Sequence, residues 1–266
     1  MALLQVNDVS KSFGGLRAVA EVSFSVAEGE IVGLIGPNGA GKTTMFNLIT
    51  GWQVLDSGKI SFNGMSLTGL QDFKFAQSGL VRTFQGTKIF RNLTVRQNLV
   101  TACNIKNRTS FVDIILRRKR TIQERNRQNK RVQELMELVG IADQADIIAE
   151  SLAYAHQSLL GIAMALALEP KILLMDEPFA GMNPTETENV IKLVRSIRDQ
   201  GVTILIIEHN LRAVMSLCDR IVVMESGRVI SEGTPEVIRN DEKVIETYLG
   251  RRGTHAKTNA GANALR

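Results

Sequence analysis

A glycine-rich segment near the start of the chain has the residue types of a phosphate-binding loop. Residues 36–43 fit the pattern Gly-x-x-x-x-Gly-Lys-Ser/Thr at every fixed position. Glycines in such a loop let consecutive backbone N–H groups surround phosphate oxygens without hindrance from a Cβ atom. Lys42 can reach β- and γ-phosphates, and the Thr43 hydroxyl suits a Mg²⁺ ligand. We predict that this segment binds a nucleoside triphosphate with Mg²⁺ through Gly36, Pro37, Asn38, Gly39, Ala40, Gly41, Lys42, Thr43 and Thr44.

Two adjacent acids form a second candidate site. Asp176 and Glu177 follow directly on the apolar run from Ile172 to Met175. Neighbouring carboxylates repel each other, so their position at the end of a strand indicates binding rather than packing. Asp176 is placed to hold Mg²⁺ directly or through water, and Glu177 to polarise an attacking water. Together with the loop, the pair predicts hydrolysis of the bound triphosphate.

A strand and a helix must hold the loop in place. The apolar run from Glu30 to Ile35 predicts a central strand covered on both faces. A helix from Lys42 to about Thr50 follows, and its positive end points at the same phosphates. Further strands are predicted at Leu3–Val9, Val22–Val26, Lys59–Phe62, Leu80–Phe84, Ile172–Met175 and Val202–Ile207.

The middle and the end of the chain have different patterns. Between about Val95 and Gly140 apolar residues recur at helical spacing, which predicts a helical lobe, about 95–165, inserted into one domain spanning 1–250. A helix is predicted over roughly Thr185–Gln200, and a turn-rich region then leads to a short helix ending near Leu249. Residues 251–266 lack apolar periodicity, so we predict a mobile tail. The residues at helical spacing are Val132, Leu135, Met136 and Val139, and the turn-rich region contains Gly227, Gly233 and Pro235.

Composition excludes several classes of protein. The chain has 266 residues, 44% of them hydrophobic and 22% charged, with a formal net charge of +5, which is unlike a disordered or fibrous chain. Two cysteines, predicted to be small core residues, cannot make a disulfide scaffold or a four-ligand zinc site. No signal peptide or apolar run of about 18 residues is evident. The composition predicts a cytosolic protein that reaches a membrane only through a partner.

Four features in fixed order resemble a known family. The phosphate loop, Gln85 in the run Arg82–Gln85, the acid pair and His209 after an apolar strand occur in this order in ATP-binding-cassette (ABC) ATPases. The resemblance covers roughly residues 3–250. It implies an α/β P-loop NTPase fold with a mostly parallel core sheet, an N-terminal antiparallel β region and an inserted helical lobe. It also implies ATP and Mg²⁺ as cofactors.

The resemblance assigns roles to further residues. Phe13 lies where an aromatic side chain stacks on adenine. Gln85 lies where a glutamine meets Mg²⁺ and senses a transmembrane partner, and His209 where a histidine contacts the γ-phosphate. The predicted catalytic residues are therefore Glu177, His209 and Gln85, and the predicted metal ligands are Thr43, Gln85 and Asp176.

One segment departs from the family pattern. A signature similar to Leu-Ser-Gly-Gly-Gln is replaced by Ser151–Gln157, in which Ala153 stands for the serine and Ala155 for a glycine. Loss of one hydrogen-bond donor from a phosphate site weakens transition-state binding by about 1–3 kcal/mol. In this family the segment completes the ATP site of a partner subunit. Whether the altered segment supports ATP hydrolysis there is an open question. The alteration favours pairing with a different ATPase over a homodimer. Asn183 stands where many relatives have Asp, and with Pro184 it also fits a helix N-cap.

Three details are similar to importers of branched-chain amino acids: a basic insert near 104–131, the run Arg82–Gln85, and the ending from Gly233 to Gly250. The resemblance implies permease subunits, a second ABC ATPase and a substrate-binding protein as partners, at the cytoplasmic face of the inner membrane. Urea or lipopolysaccharide transport, a weakly hydrolysing regulatory subunit, and a soluble ABC ATPase acting on ribosomes or DNA are the alternatives. The last usually has two cassettes or long coiled coils, and this chain shows one phosphate loop.

The basic insert has two interpretations. Its run from Arg117 to Arg131 has Glu124 as the only acid, and it is either a solvated helix face or a surface attracted to anionic lipid or a permease loop. The charges lack interleaved stacking aromatics, so no nucleic-acid partner is predicted. The basic residues are Arg117, Arg118, Lys119, Arg120, Arg125, Arg127, Lys130 and Arg131.

Overall fold

The computed structural model describes residues 2–67, 78–83, 89–106 and 118–249, apart from the side chains of 106, 118–125 and 249. Its strands are β1 (Ala2–Phe13), β2 (Leu16–Ala27), β3 (Ile31–Ile35), β4 (Ser57–Phe62), β5 (Met65–Ser66), β6 (Leu80–Arg82), β7 (Ile172–Asp176), β8 (Thr203–Ile207), β9 (Arg220–Glu225) and β10 (Arg228–Gly233). Its α-helices are α1 (Lys42–Ile49), α2 (Val95–Lys106), α3 (Arg118–Val139), α4 (Tyr154–Leu166), α5 (Pro184–Asp199), α6 (Leu211–Leu217), α7 (Pro235–Asn240) and α8 (Glu242–Leu249).

A mostly parallel sheet forms the centre of the described structure. Its strand order is β10-β9-β3-β8-β7-β6, and only the β10–β9 pair is antiparallel. Strand β3 is fully buried, and its residues alternate between two cores: Ile31 and Ile35 pack on one face, Val32 and Leu34 on the other. The predicted covered central strand is confirmed, and the loop that follows it leaves the sheet at the carboxyl end of its parallel strands.

The N-terminal antiparallel region is also confirmed. Strands β2, β1, β4 and β5 pair in that order. The inward side chains of this second sheet, including Leu4 and Phe62, share a core with α1 and with one face of the central sheet. Because α1 lies within that core, the antiparallel sheet supports the helix that begins at the phosphate loop.

Helices of the middle region cover the other face. Helices α2, α3 and α4 pack on one another, and their side chains join the core that contains Ile31 and Ile35. The four apolar residues of α3 predicted from helical spacing are all buried: Val132, Leu135, Met136 and Val139. Cys103 and Cys218 are buried thiols, as predicted, and burial raises the pKa of each.

The prediction for the end of the chain was partly wrong. Residues 220–233 form the hairpin β9–β10 rather than a turn-rich region, because the apolar run from Ile221 to Met224 pairs with β3 and lies in the core. The single short helix is two helices, α7 and α8, with Asp241 between them. The predicted strand at Leu80–Phe84 ends at Arg82, and Phe84 and the predicted tail lie outside the described residues.

Helix α5 begins with a capping box. The Asn183 side chain accepts a hydrogen bond from the Glu186 backbone N–H at 3.0 Å, and the Glu186 carboxylate accepts one from the Asn183 N–H at 2.9 Å. Pro184 occupies the first helical position, where its missing N–H costs nothing. The predicted N-cap is confirmed, so Asn183 holds the start of α5 a few residues after the acid pair.

None of the helices in the described ranges combines the length and the apolar character needed to cross a bilayer.

Candidate functional site

The predicted strand, loop and helix occur in the expected order. Strand β3 ends at Ile35 and α1 begins at Lys42. The Lys42 ammonium donates hydrogen bonds to the carbonyl oxygens of Gly36 at 2.7 Å and Pro37 at 3.0 Å. Burial lowers the pKa of Lys42, while the charges of Glu177 and Asp176 oppose that shift. The ammonium therefore lies inside the loop and close to the acid pair.

Two glycines of the loop are required by close packing. A Cβ at Gly36 would lie 2.1 Å from the Met224 carbonyl oxygen, and one at Gly41 would lie 2.4 Å from that of Ala18. Both also have positive φ angles, which side chains rarely adopt. Gly39 differs, since no atom of the described residues lies within 4 Å of its Cβ position. The first and last glycines fit the loop to neighbouring strands, whereas the middle one faces open space.

The loop borders an open cleft of about 540 Å³. Phe13, at the end of β1, contributes to this cleft with a ring that is 43% exposed, and the Lys11 ammonium lies 5.5 Å from its centroid. Glu177 borders the same space, so the structure brings the predicted aromatic, phosphate-loop and acidic residues together. The predicted residues that line the cleft are Phe13, Asn38, Gly39, Ala40, Gly41, Lys42, Thr43, Thr44 and Glu177.

Sequence reasoning missed one wall of the cleft. The turn between β9 and β10, Ser226–Gly227, borders it, as does the start of β2. The Gly227 N–H donates to the Ala40 carbonyl at 3.1 Å, and the Gly227 carbonyl accepts from the Ala20 N–H at 2.8 Å. A Ser-Gly pair between two apolar runs is a hairpin signal that could have identified the turn, although not its contact with the loop. The β2 residues in the wall are Leu16, Arg17 and Ala18.

The C-terminal helix also reaches the phosphate loop. Burial raises the pKa of the Tyr248 hydroxyl, on α8, to about 12, and the backbone of Gly36 acts in the opposite direction. No hydrogen bond of good geometry joins the Tyr248 oxygen to the described residues. The contact nevertheless places α8 beside the first residue of the loop.

Asp176 has a partner that the sequence did not indicate. Its Oδ2 lies 2.6 Å from an Arg82 guanidinium nitrogen, and the two side chains are 1% and 7% exposed. Its Oδ1 is buried without a hydrogen-bond partner in the described structure. One oxygen of this carboxylate is thus committed to an arginine and the other is left for a further ligand.

Glu177 occupies a constrained backbone position. Its φ is +50°, unusual for a residue with a side chain, and its N–H donates to the Ile207 carbonyl at 2.9 Å. Its Oε1 lies 3.7 Å from His209 Nδ1, with 26% of the Glu177 side chain and 59% of the His209 side chain exposed. The structure therefore brings Glu177 and His209 together. Gln85 lies outside the described residues.

Glu208 is a buried acid that sequence reasoning missed. Its Oε1 accepts a hydrogen bond from the Phe179 N–H at 2.9 Å, and its Oε2 accepts from the N–H groups of His209 at 3.1 Å and Asn210 at 3.3 Å. Burial raises the pKa of Glu208, and these amides oppose the shift. The carboxylate joins the segment after Glu177 to the segment that contains His209.

Glu208→Gln is expected to lower the free energy of unfolding by about 1–3 kcal/mol. An amide can accept on one side only, so its NH₂ group would face either the Phe179 N–H or the two following amides. Chemical denaturation of the purified chain measures the change, with the exposed Glu188→Gln as a control. Equal unfolding midpoints for the two variants would contradict this role.

The altered signature segment opens helix α4. The helix begins at Tyr154, and Ala153 is its N-cap residue without a side-chain hydrogen bond. Ala155 lies in the first turn of the helix. This helix end therefore has backbone N–H groups that receive no hydrogen bond from the side chain of the N-cap residue.

Profile matches agree with this geometry. The family described as "ABC transporter" matches residues 19–180, a stretch that contains the phosphate loop and the acid pair. A second family, described as "Branched-chain amino acid ATP-binding cassette transporter", matches residues 228–254, which include β10, α7 and α8.

Curated relatives and solved structures match along most of the chain. The high-affinity branched-chain amino acid transport ATP-binding protein LivG of Salmonella typhimurium (strain LT2) is 41% identical over 93% of this chain and 98% of its own. BraF of Pseudomonas aeruginosa, a protein of the same description, is 39% identical over the same shares. A crystal structure of a nucleotide-free ATP-binding cassette from an ABC transporter superposes with a TM-score of 0.81 and 32% identity, covering 93% of this chain and 99% of that one. The chain therefore belongs to the ABC transporter family, as an ATP-binding cassette.

Proposed function

We propose that the chain is the ATP-hydrolysing subunit of a membrane importer for branched-chain amino acids. The observation that supports this most directly is the cleft in which the phosphate loop, Phe13 and Glu177 meet. Residues 1–250 form the ATPase domain, with residues 95–165 as its helical lobe. The chain works at the cytoplasmic face of the cell membrane as a peripheral subunit.

Different residues of the cleft bind different parts of Mg-ATP. Phe13 stacks on adenine, the N–H groups of the loop and Lys42 bind the phosphates, and Thr43 and Asp176 hold Mg²⁺ together with Gln85. The Oδ1 of Asp176, buried and without a hydrogen-bond partner among the described residues, fits a hard cation that prefers oxygen ligands. Bound Mg²⁺ offsets the negative charge of the phosphates.

Hydrolysis requires a base and an orienting group. Glu177 accepts a proton from the attacking water, and His209, 3.7 Å from its Oε1, keeps the carboxylate in place and contacts the γ-phosphate. The positive φ of Glu177 and its N–H bond to Ile207 fix the direction in which this carboxylate leaves the strand. Gln85 contacts Mg²⁺ and senses the permease.

The importer assignment is supported by the relatives. LivG and BraF are branched-chain amino acid transport proteins by name, and the matching C-terminal family has the same substrate in its description. The lipopolysaccharide export protein LptB of Haemophilus influenzae is 36% identical, which is why transport of another cargo is the competing outcome. The partners of this chain are permease subunits, a second cassette and a substrate-binding protein.

Co-expression with the permease and binding-protein genes of its own operon tests the proposal. The purified complex in lipid vesicles is expected to hydrolyse ATP faster when the binding protein carries leucine, isoleucine or valine. Urea and lipopolysaccharide serve as alternative cargoes. Failure of the chain to co-purify with a permease, or stimulation by another cargo alone, would contradict the proposal.

The second cassette is a different chain rather than another copy. In a homodimer both ATP sites would face the altered segment, in which α4 has no capping hydroxyl. In a heterodimer the intact loop of this chain meets an intact signature of its partner. A weakly hydrolysing regulatory subunit is the second candidate function, and the same uncapped helix favours it. ATP turnover by the complex assembled with a second, different cassette separates the two, since a regulatory subunit adds little hydrolysis of its own there.

Ala155→Gly is expected to raise the ATPase rate of the assembled complex about twofold, since about 1.4 kcal/mol of recovered transition-state binding speeds hydrolysis about tenfold at the one site that this segment faces, while the other site is already active. The glycine removes a methyl group from the helix end that faces the partner's γ-phosphate. Phosphate release by wild-type and variant complexes measures the change. Ala142→Gly, outside this segment, is the control, and an equal rate for Ala155→Gly and wild type would count against this account of the segment.

A further inference from the structure

Arg82 is the most highly connected side chain beside the acid pair. Its guanidinium lies 2.6 Å from Asp176 Oδ2 and donates to Asn47 Oδ1, on α1, at 2.7 Å. The same group lies over two rings, 5.5 Å from the centroid of Phe46 and 5.9 Å from that of Trp52. A single cation thus joins the end of β7 to the helix that follows the phosphate loop.

The contact with Asp176 requires a guanidinium. Removing one member of a buried ion pair leaves an uncompensated charge, so the two groups depend on each other. Arginine has donors in a fixed fork and can bind Asn47 and Asp176 with different nitrogens while its flat face stacks on rings. A lysine at this position would keep the charge but not this geometry.

Asp176 has one oxygen held and one available. Oδ2 is bound by Arg82, while Oδ1 has no hydrogen-bond partner in the described structure. Groups that bind the second oxygen of a metal-binding carboxylate set the orientation of that carboxylate and its affinity for the metal. We propose that Arg82 is a positioning residue for the metal site, which presents Asp176 Oδ1 to the nucleotide-bound cation and couples occupancy of that site to Trp52. This inference rests on the proposed Mg-ATP binding.

The coupling follows from charge. A divalent cation at Oδ1 draws electron density from the carboxylate and weakens its attraction for the guanidinium at Oδ2. Arg82 then shifts relative to the rings that cover it. Trp52 is the single tryptophan of the chain and is half exposed, so its fluorescence reports on this shift without a label.

The first experiment uses the wild-type chain. Trp52 emission is recorded with saturating β,γ-imido-ATP, once with Mg²⁺ and once with EDTA. We expect a change in emission that requires both the analogue and the metal, and that Arg82→Lys abolishes. Identical spectra with Mg²⁺ and with EDTA at saturation would overturn the inference, whether or not the variant folds.

The second experiment measures affinity. Calorimetry gives the ratio of β,γ-imido-ATP affinities with and without Mg²⁺, which isolates the contribution of the metal. Arg82→Lys is expected to lower this ratio about tenfold while leaving the metal-free affinity unchanged. The control is Arg96→Lys, since Arg96 forms an exposed pair with Asp146 at 3.6 Å.

The outcomes separate the two proposals. Absence of analogue binding by the wild-type chain, with metal and without it, would overturn the proposed function and this inference with it. Normal binding with an unchanged or higher ratio in Arg82→Lys would overturn only the role of Arg82.

Discussion

Replacement of Glu177 by Gln is expected to lower the ATPase rate of the assembled transporter by about 10²- to 10⁴-fold. The amide has the size of the carboxylate but cannot accept a proton from water at neutral pH. The backbone of residue 177, with φ at +50° and its N–H bonded to Ile207, accommodates either side chain equally well. ATP affinity should therefore remain close to that of the wild type, since the phosphate loop is unchanged.

Two measurements check this expectation. Phosphate release by the purified complex gives the rate, and calorimetry with ATP on the isolated chain gives the affinity. Glu188→Gln, an exposed change of the same kind on α5, controls for the loss of one charge. A turnover rate equal to that of the wild type would remove Glu177 from the role of base.

Gly36→Ala is expected to weaken nucleotide binding. The added methyl group would lie 2.1 Å from the Met224 carbonyl oxygen, on β9, so the loop and the hairpin must separate. Overpacking of this kind costs about 1–3 kcal/mol, and the unfavourable backbone conformation at φ +151° adds to that cost. Displacement of the loop would also misplace its N–H groups, and we expect ATP binding to weaken by at least about tenfold.

Gly201→Ala is the matched control for this change. Gly201 also has a positive φ, +93°, but its Cβ position has no neighbour within 4 Å in the part of the chain that the structure describes. Both variants therefore place a side chain at a positive φ, and only Gly36→Ala introduces a clash. Denaturant unfolding and ATP calorimetry compare them. Equal losses of stability, together with unchanged ATP affinity, would show that the contact between Gly36 and β9 is unimportant.

Local patterns in the sequence predicted the parts of the site that are contiguous. The strand, loop and helix from Glu30 to Thr50 could be predicted because glycine spacing and an unbroken apolar run are each contained within a few consecutive residues. The same holds for the acid pair at the end of β7 and for Asn183 as an N-cap. Each of these depends on neighbours within about one turn of helix or one strand.

The remaining parts depend on contacts between distant residues. Arg82 and Asp176 are 94 positions apart, and Phe179 and Glu208 are 29 apart, so no spacing rule connects them. The hairpin β9–β10 was missed because Gly227, Gly233 and the nearby Pro235 indicate turns, whereas the apolar run from Ile221 to Met224 is short. That run acquires its strand from pairing with β3, a partner almost 190 residues earlier.

The contact between the Ser226–Gly227 turn and the phosphate loop limits how far the chain can be truncated. The stretch 19–180 contains every residue of the loop and both acids, yet one side of the nucleotide cleft is built from beyond it. An engineered fragment confined to that stretch would lack β9, which pairs with β3, and would leave the Ala40 carbonyl without the Gly227 N–H that donates to it. The nucleotide cleft is thus completed by a turn that follows the matched stretch, so substitutions at Ser226 or Gly227 are expected to change the shape of the cleft.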